Sequence, residues 1–349
     1  MDYRTLGRSG LRVSAACLGT MNFGTGGGVG SCDEPEARRV VDAFLDLGHN
    51  FVDTADVYTG GQSEEILGRA ISGKRASVVL ATKAFLPAGP GPNDRGLSRA
   101  HLTRALEASL RRLGTDYIDL YQCHQWDPHT PVEETLATLD GFVRAGKVRY
   151  IGCSNFTASQ IVESRWAAER LGVTPFISLQ PQYSLVARAV EAEILPACRR
   201  HGLGTMVWSP LAGGVLTGRY AQVAAPDADS RMGRLLASPA PMARAWAGGL
   251  LNERALRIAG EVGKVATDLG TTPTAVAIAW VRQRPGVTSV IIGPRNLDQL
   301  HGNLAGFALD LPPQATGPLD DVSWSPAVTP VTGMTAQPSL SASSPEPRR

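Results

Sequence analysis

The sequence predicts a closed (β/α)8 TIM barrel with an N-terminal β-hairpin. Three observations predict it: eight short apolar runs spaced along the chain, amphipathic stretches between them, and polar residues gathered where the runs end. The chain has 349 residues and 43% hydrophobic content, enough to bury one large core. An open doubly wound sheet is the alternative that the same alternation allows.

Residues 2–12 read as a small hairpin ahead of the barrel, with Ser9-Gly10 at the turn. The eight runs are VSAACLG (13–19), NFVD (50–53), SVVLATK (77–83), YIDLYQCH (117–124), VRYIGCS (148–154), FISLQPQY (176–183), GTMVWSP (204–210) and TSVIIG (288–293). Residues 33–47 read as a helix. Asp33 can cap it, Pro35 suits its first turn, and Val40, Val41, Phe44 and Leu45 form an apolar face before Gly48. In 98–113, Leu102, Leu106, Leu110 and Leu113 recur at helical steps between a capping Ser98 and a terminating Gly114. Two connections, 84–97 and 219–249, are long enough to act as substrate loops or lids. Residues 1–325 are expected to form one barrel domain. Pro, Ser, Thr and Ala dominate from about residue 312, so 326–349 is expected to be a disordered tail, with Trp324 still able to dock. The glycines of GTGGGVG (24–30) match no phosphate-loop pattern and read as a loop after the first strand.

A net charge of +2 gives no electrostatic case for nucleic acid or an anionic membrane. The five cysteines are far apart and form no C-x-x-C pair, and Cys123 and Cys153 sit in apolar runs as buried thiols. The N-terminus lacks an apolar signal core, and no apolar run approaches membrane-spanning length. A cytoplasmic protein is expected. The six histidines show no ligand spacing such as H-E-x-x-H, so no metal is expected.

Residues that end successive barrel strands share one face, where barrel enzymes do chemistry. Asp53 ends the second run, Tyr58 follows in its loop, Lys83 ends the third and His124 ends the fourth. Each has a structural explanation alone, but together they suit proton donation to a carbonyl oxygen. A free phenol has a pKa near ~10. An adjacent ammonium is expected to lower it, with Asp53 holding Lys83 in place and His124 orienting the carbonyl. Such a general acid contributes ~10²–10⁴-fold. Asp56 reads as a turn residue. Along the later strands, Ser154, Asn155 and Gln180 can pair with a carboxamide and Trp208 can stack on a nicotinamide ring. The stretch SPLAGGVLTGRY suits a pyrophosphate, and Arg295 suits a phosphate such as the 2′-phosphate of NADP.

In order and spacing, LGTMNFG (18–24), DTADVY (53–58), GQSEEILG (61–68), TK (82–83), DLYQCH (119–124), GKVRYIGCSNF (146–156), QPQYSL (180–185), WSPLAGGVLTGRY (208–220) and IIGPRN (291–296) resemble the aldo-keto reductase family over residues 3–310. The segment WSPLA is similar to the branch of potassium-channel β subunits and bacterial aryl-alcohol or sugar reductases. The resemblance implies a catalytic tetrad of Asp53, Tyr58, Lys83 and His124, with Tyr58 as general acid, and NADPH or NADP as cofactor, NADH binding more weakly. It implies cofactor contacts from Gly19, Thr20, Met21, Asp53, Ser154, Asn155, Gln180 and Trp208, then Ser209, Pro210, Leu211, Ala212, Gly213, Leu216 and Arg219 along the pyrophosphate. Arg231 would lie near the phosphates, and Gly293, Arg295, Gln299 and Asn303 at the adenosine end. Gly302 stands where many relatives carry Glu, and Arg295 where relatives often carry Ser. The expected function is reversible carbonyl reduction, with an aromatic aldehyde or a keto sugar as the substrate class and the oligomeric state open. The rivals are an NADP(H)-binding sensor with slow turnover and a Schiff-base lyase using Lys83.

Overall fold

A computed structural model describes residues 2–25, 31–220, 226–228, 230–239 and 241–324. The expected tail at 326–349 and all but the first two residues of GTGGGVG lie outside these. Strands β1 (Tyr3–Thr5) and β2 (Arg12–Ser14) form the antiparallel hairpin, and β3 (Ala16–Gly19) opens the barrel. The run 13–19 is therefore two strands rather than one. The division falls at Ala15, whose N–H donates to Asp2 in the hairpin while its carbonyl accepts from Val290 in the barrel. Ser14 is held at the same corner by Asn50, whose side-chain oxygen accepts its N–H at 2.8 Å.

The chain then alternates. Helix α1 (Glu34–Asp46), β4 (Phe51–Asp53), α2 (Gln62–Ala70), β5 (Val79–Ala84), α3 (Arg99–Leu113), β6 (Ile118–Cys123) and α4 (Val132–Arg144) come first. Next are β7 (Val148–Ser154), α5 (Ala158–Leu171), β8 (Ser178–Gln180), α6 (Ile194–His201) and β9 (Gly204–Val207). Helices α7 (Arg231–Leu236), α8 (Pro241–Leu250), α9 (Glu253–Asp268) and α10 (Pro273–Arg282) precede β10 (Val287–Ile292), and α11 (Leu297–Ala308) and α12 (Pro313–Ser323) follow it. Strands β3 to β10 pair in parallel in chain order, and β10 closes onto β3. The expected loop 219–249 thus carries two helices among its described residues. Trp324 does not dock; it is 54% exposed just beyond α12, where the Ser323 hydroxyl turns back to donate to Leu319.

Local chemistry sets the ends. Asp33 accepts the Glu36 N–H to cap α1, Ser98 accepts the His101 N–H to cap α3, and Gly114 takes the left-handed conformation that ends α3. Val40, Val41 and Phe44 are fully buried, whereas Leu45 is only partly so. Inside the barrel, Cys17, Phe51, Ala81, Leu120, Met206 and Ile291 pack with Leu6 and Val13 of the hairpin. The hairpin therefore plugs the N-terminal end and leaves the C-terminal end as the mouth. All five cysteines are buried free thiols. No described helix is long and apolar enough to cross a membrane.

Candidate active site

Parallel register aligns the strand ends around the mouth. Gly19 faces Asp53, Asp53 faces Ala81, Lys83 faces Gln122 and Ser154 faces Gln180. The Lys83 ammonium is fully buried. It donates to Asp53 Oδ2 at 2.6 Å, to the Thr54 carbonyl at 2.8 Å and to Tyr58 Oη at 3.1 Å. The other Asp53 oxygen accepts from Gln122 Nε2 at 3.0 Å and Gln180 Nε2 at 2.9 Å. Every oxygen of this buried carboxylate is thus satisfied, as a buried ion pair requires. Gln122 is absent from the residues expected from sequence; its signal is one amide in an otherwise apolar strand end. His124 stands beside Tyr58 with ring centroids 5.9 Å apart, edge to face.

The electrostatics correct one expectation. Burial raises the Tyr58 pKa, Lys83 lowers it and Asp53 raises it, and the net is above the usual phenol value. Lys83 does pull downward as expected, but desolvation of the buried phenolate outweighs a cation already neutralised by Asp53. Tyr58 is consequently a neutral phenol at working pH, with the ammonium placed to stabilise the phenolate as a proton leaves. Burial pulls the Lys83 pKa down, but Asp53 and Tyr58 outweigh it and hold the lysine well above its usual range. Burial, with Lys83 adding to it, pushes His124 down to about 3. Its imidazole is neutral, and Nδ1 is buried without a partner.

Asp56 lies in the turn after β4, as expected, but it is buried there. It is 4% exposed, and neither carboxylate oxygen has a hydrogen-bond partner.

The remaining expected residues fall at or after the ends of the barrel strands in sequence order. Thr20 spends its hydroxyl on the Asp53 carbonyl and Ser63, and its backbone is engaged too, the N–H donating to Asp53 and the carbonyl accepting from Phe23 and Ser63. Ser154 Oγ donates to the Gln180 carbonyl. Gln180 Nε2 is held by Asp53, so its oxygen is the end left to face a ligand. Asn155 is engaged at both ends of its amide, donating to the His124 carbonyl at 3.2 Å and accepting the Trp208 indole N–H at 3.1 Å. It acts as a strut between those two residues. Beyond Trp208 and Ser209, the side chains of Pro210, Ala212 and Leu216 are buried, and Gly213 and Gly214 take the left-handed conformation. Leu211 is partly buried and Arg219 is exposed.

Arg231, on α7, reaches Asn22 Oδ1 at 3.5 Å and lies over the Trp246 ring at 5.6 Å; its Nε is buried without a partner. Burial lowers its pKa to about 10. Trp246, on α8, also tilts against Trp208 at 6.4 Å. It was not expected from sequence, where 219–249 carries no pattern that fixes its direction. Gly293 accepts the Asn22 amide at 2.7 Å. The Arg295 N–H donates to Gln299 Oε1, and Asn303 is buried on the same helix. Arg295 lines a cleft of about 420 Å³ with Ser31, Asp33, Glu36 and Arg39.

Residues 15–323 match the profile of the Aldo/keto reductase family. The chain is 40% identical over 321 residues to a protein of Arabidopsis thaliana named a probable voltage-gated potassium channel subunit beta, covering 90% of this chain and 93% of the relative. It is also 40% identical over 333 residues to the uncharacterized oxidoreductase YrpG of Bacillus subtilis, covering 92% and 96%. Identity to the aldo-keto reductase dtxS3 of Metarhizium robertsii is 36% over 337 residues, covering 89% and 88%. With a closed parallel barrel, these matches over nearly the whole length make the chain a member of the aldo/keto reductase family of oxidoreductases.

Proposed function

We propose that the protein is an NADPH-dependent carbonyl reductase that converts an aldehyde or ketone to its alcohol, reversibly. The observation that carries this reading is the buried chain from Asp53 through Lys83 to the Tyr58 hydroxyl, with a neutral His124 at its side. Lys83 stays charged, so the phenol has a cation within 3.1 Å to receive its developing negative charge. Tyr58 donates its proton to the carbonyl oxygen. A neutral His124 can hold one hydrogen bond to that oxygen without competing as an acid. The NADPH nicotinamide, when bound, supplies the hydride.

The residues at the mouth fit that cofactor. Buried Arg231 Nε lacks a partner, and the 208–216 stretch, with left-handed Gly213 and Gly214, would offer backbone to the cofactor. Trp208, half-buried and braced by Asn155, offers a ring face for nicotinamide. Ser154 and the Gln180 oxygen would meet the carboxamide. Arg231 and Arg219 would face the pyrophosphate, and Arg295 with Arg39 the 2′-phosphate in the cleft. Residues 1–325 would act as one cytoplasmic catalytic unit on a small carbonyl compound, with aromatic aldehydes and keto sugars as the favoured classes.

A second reading, an NADP(H)-binding regulatory subunit with slow turnover, draws support from the relatives named as channel β subunits. A Schiff-base role for Lys83 is disfavoured, since that chemistry needs a neutral amine and Asp53 holds it charged. The test is NADPH absorbance with para-nitrobenzaldehyde, phenanthrenequinone, methylglyoxal and a keto sugar. Tyr58→Phe should lose ~10²–10⁴-fold in turnover with NADPH affinity nearly unchanged. Undiminished turnover in that variant would refute Tyr58 as the acid. Tight NADPH binding with good single-turnover chemistry and slow product release would favour the regulatory reading.

A further inference from the structure

Asp56 sits two residues before Tyr58, in the turn that carries the phenol to the mouth. Buried carboxyl groups are normally paired. Asp56 is 4% exposed and has no hydrogen-bond partner at either oxygen. Its backbone is nonetheless tied to the catalytic strand: the Asp56 N–H donates to the Lys83 carbonyl at 3.1 Å, and the Tyr58 N–H donates to Ala55 at 3.2 Å.

The groups facing it are Glu64 from α2, Arg112 from α3, Lys83 from β5 and Tyr121 from β6. Neither cation is ion-paired with it. Arg112 is bound to Glu64 at 2.7 Å, and Lys83 to Asp53 at 2.6 Å. Glu64 is itself fully buried and accepts from Thr82 Oγ1 at 2.6 Å, so it brings a like charge. The Tyr121 hydroxyl is buried and also without a partner. Burial first, and the Glu64 carboxylate second, push Asp56 up to about 7, against the weaker downward pull of Arg112, the Val57 N–H and Lys83, none of which forms a hydrogen bond of normal geometry with it.

We propose that Asp56 is a positioning residue that works as the neutral acid. Uncharged, it keeps the 54–57 turn packed against β5 and holds Tyr58 against Lys83. Ionised, it is an unpaired anion beside Glu64, and the turn loosens to let it reach water. The catalytic half of this inference rests on the reductase reading, whereas the placement of Tyr58 does not.

The experiment follows Tyr58 directly. Protein labelled with 13Cζ-tyrosine is titrated by NMR from pH 5.5 to 9, with Tyr58→Phe assigning the resonance. Single-turnover NADPH oxidation is measured over the same range. In wild type, the Tyr58 signal should move with an inflection near pH 7, and the rate should fall at least fivefold between pH 6 and 8.5. Asp56→Asn, permanently neutral and nearly isosteric, should show neither change and should exceed wild type at pH 8.5. A Tyr58 signal that titrates identically in both proteins overturns the proposal. If no protein oxidises NADPH, the reductase reading fails and the NMR arm still decides the role of Asp56. Should Asp56→Asn not fold, Glu64→Gln removes the like charge and should move the wild-type inflection to lower pH; an unmoved inflection overturns the proposal.

Discussion

Replacing Asp53 by Asn tests whether Lys83 is a desolvated buried cation. Asn keeps an oxygen for Gln122 and Gln180 but removes the charge 2.6 Å from the ammonium. Breaking a buried pair from one side costs about 3–5 kcal/mol. The lysine has an escape, which is to release its proton. At ~1.36 kcal/mol per pH unit from an unfolded pKa of ~10.4, that escape caps the charge penalty at roughly 4.6 kcal/mol at pH 7 and roughly 1.9 kcal/mol at pH 9. The sign is fixed. In the variant, the folded lysine pKa is depressed below its unfolded value, so the native state binds fewer protons and stability rises with pH. Urea unfolding followed by tryptophan fluorescence should therefore show a loss of ~3–4.5 kcal/mol at pH 7 and less than ~2 kcal/mol at pH 9. Adding Lys83→Met removes the stranded charge and should recover most of the loss at pH 7, since apolar replacements of buried pairs are often neutral. A loss below ~1 kcal/mol at pH 7, or one equal at both pH values, would refute a water-excluded Asp53–Lys83 pair.

Arg295→Ala should weaken NADPH far more than NADH in fluorescence titrations; equal losses would mean that Arg295 does not read the 2′-phosphate. A Cβ at Gly19 would lie 2.6 Å from Ile291 Cγ2, inside the packed barrel, so Gly19→Ala should cost about 1–3 kcal/mol by urea unfolding. Asp56 holds its proton in the folded state to about pH 7 but loses it near ~3.9 when unfolded. Its contribution to stability therefore falls as pH rises through that window and is flat above it. By linkage, Asp56→Asn should gain up to roughly 4 kcal/mol on wild type between pH 4 and 8, read as diverging melting temperatures.

The elements legible in the sequence are those fixed by neighbours along the chain. Asp33, Ser98 and Gly114 bound their helices because a cap needs only a partner three residues away or a left-handed backbone. Each of the eight runs supplied one barrel strand because burial on both faces demands continuous apolar sequence. Asp53, Lys83 and His124 were legible because strand ends in a parallel barrel share one face. What escaped depends on distant partners. The break at Ala15 follows from Asp2 and Val290, which divide its two backbone bonds. Gln122 matters only because Asp53 needs a second donor across the barrel. The sign of the Tyr58 shift is a balance between burial and one cation, and composition cannot weigh it. Trp246 meets Arg231 and Trp208 only once two helices fold over the mouth.

Local rules are broken at the mouth more than elsewhere. Among the described residues, the non-glycine residues with positive φ are Thr59, Asn155, Ser209 and Ala212. Each lies at or just beyond the C-terminal end of a barrel strand, in the segments proposed to hold Tyr58, the carboxamide and the pyrophosphate. Such conformations cost on the order of 1–3 kcal/mol and persist where surrounding contacts impose them. Those contacts are visible for two. Thr59 donates its hydroxyl to Phe23 at 2.7 Å, and Asn155 is clamped between His124 and Trp208. The same mouth holds a fully buried lysine, an orphaned Asp56 carboxyl and an orphaned His124 nitrogen. A fold selected for stability alone would place apolar side chains and relaxed turns there. Strained non-glycine backbone and a fully buried ion pair coincide at one end of the barrel, opposite the end that the hairpin fills with Leu6 and Val13. That asymmetry separates the half of the molecule that holds the structure from the half that meets a ligand.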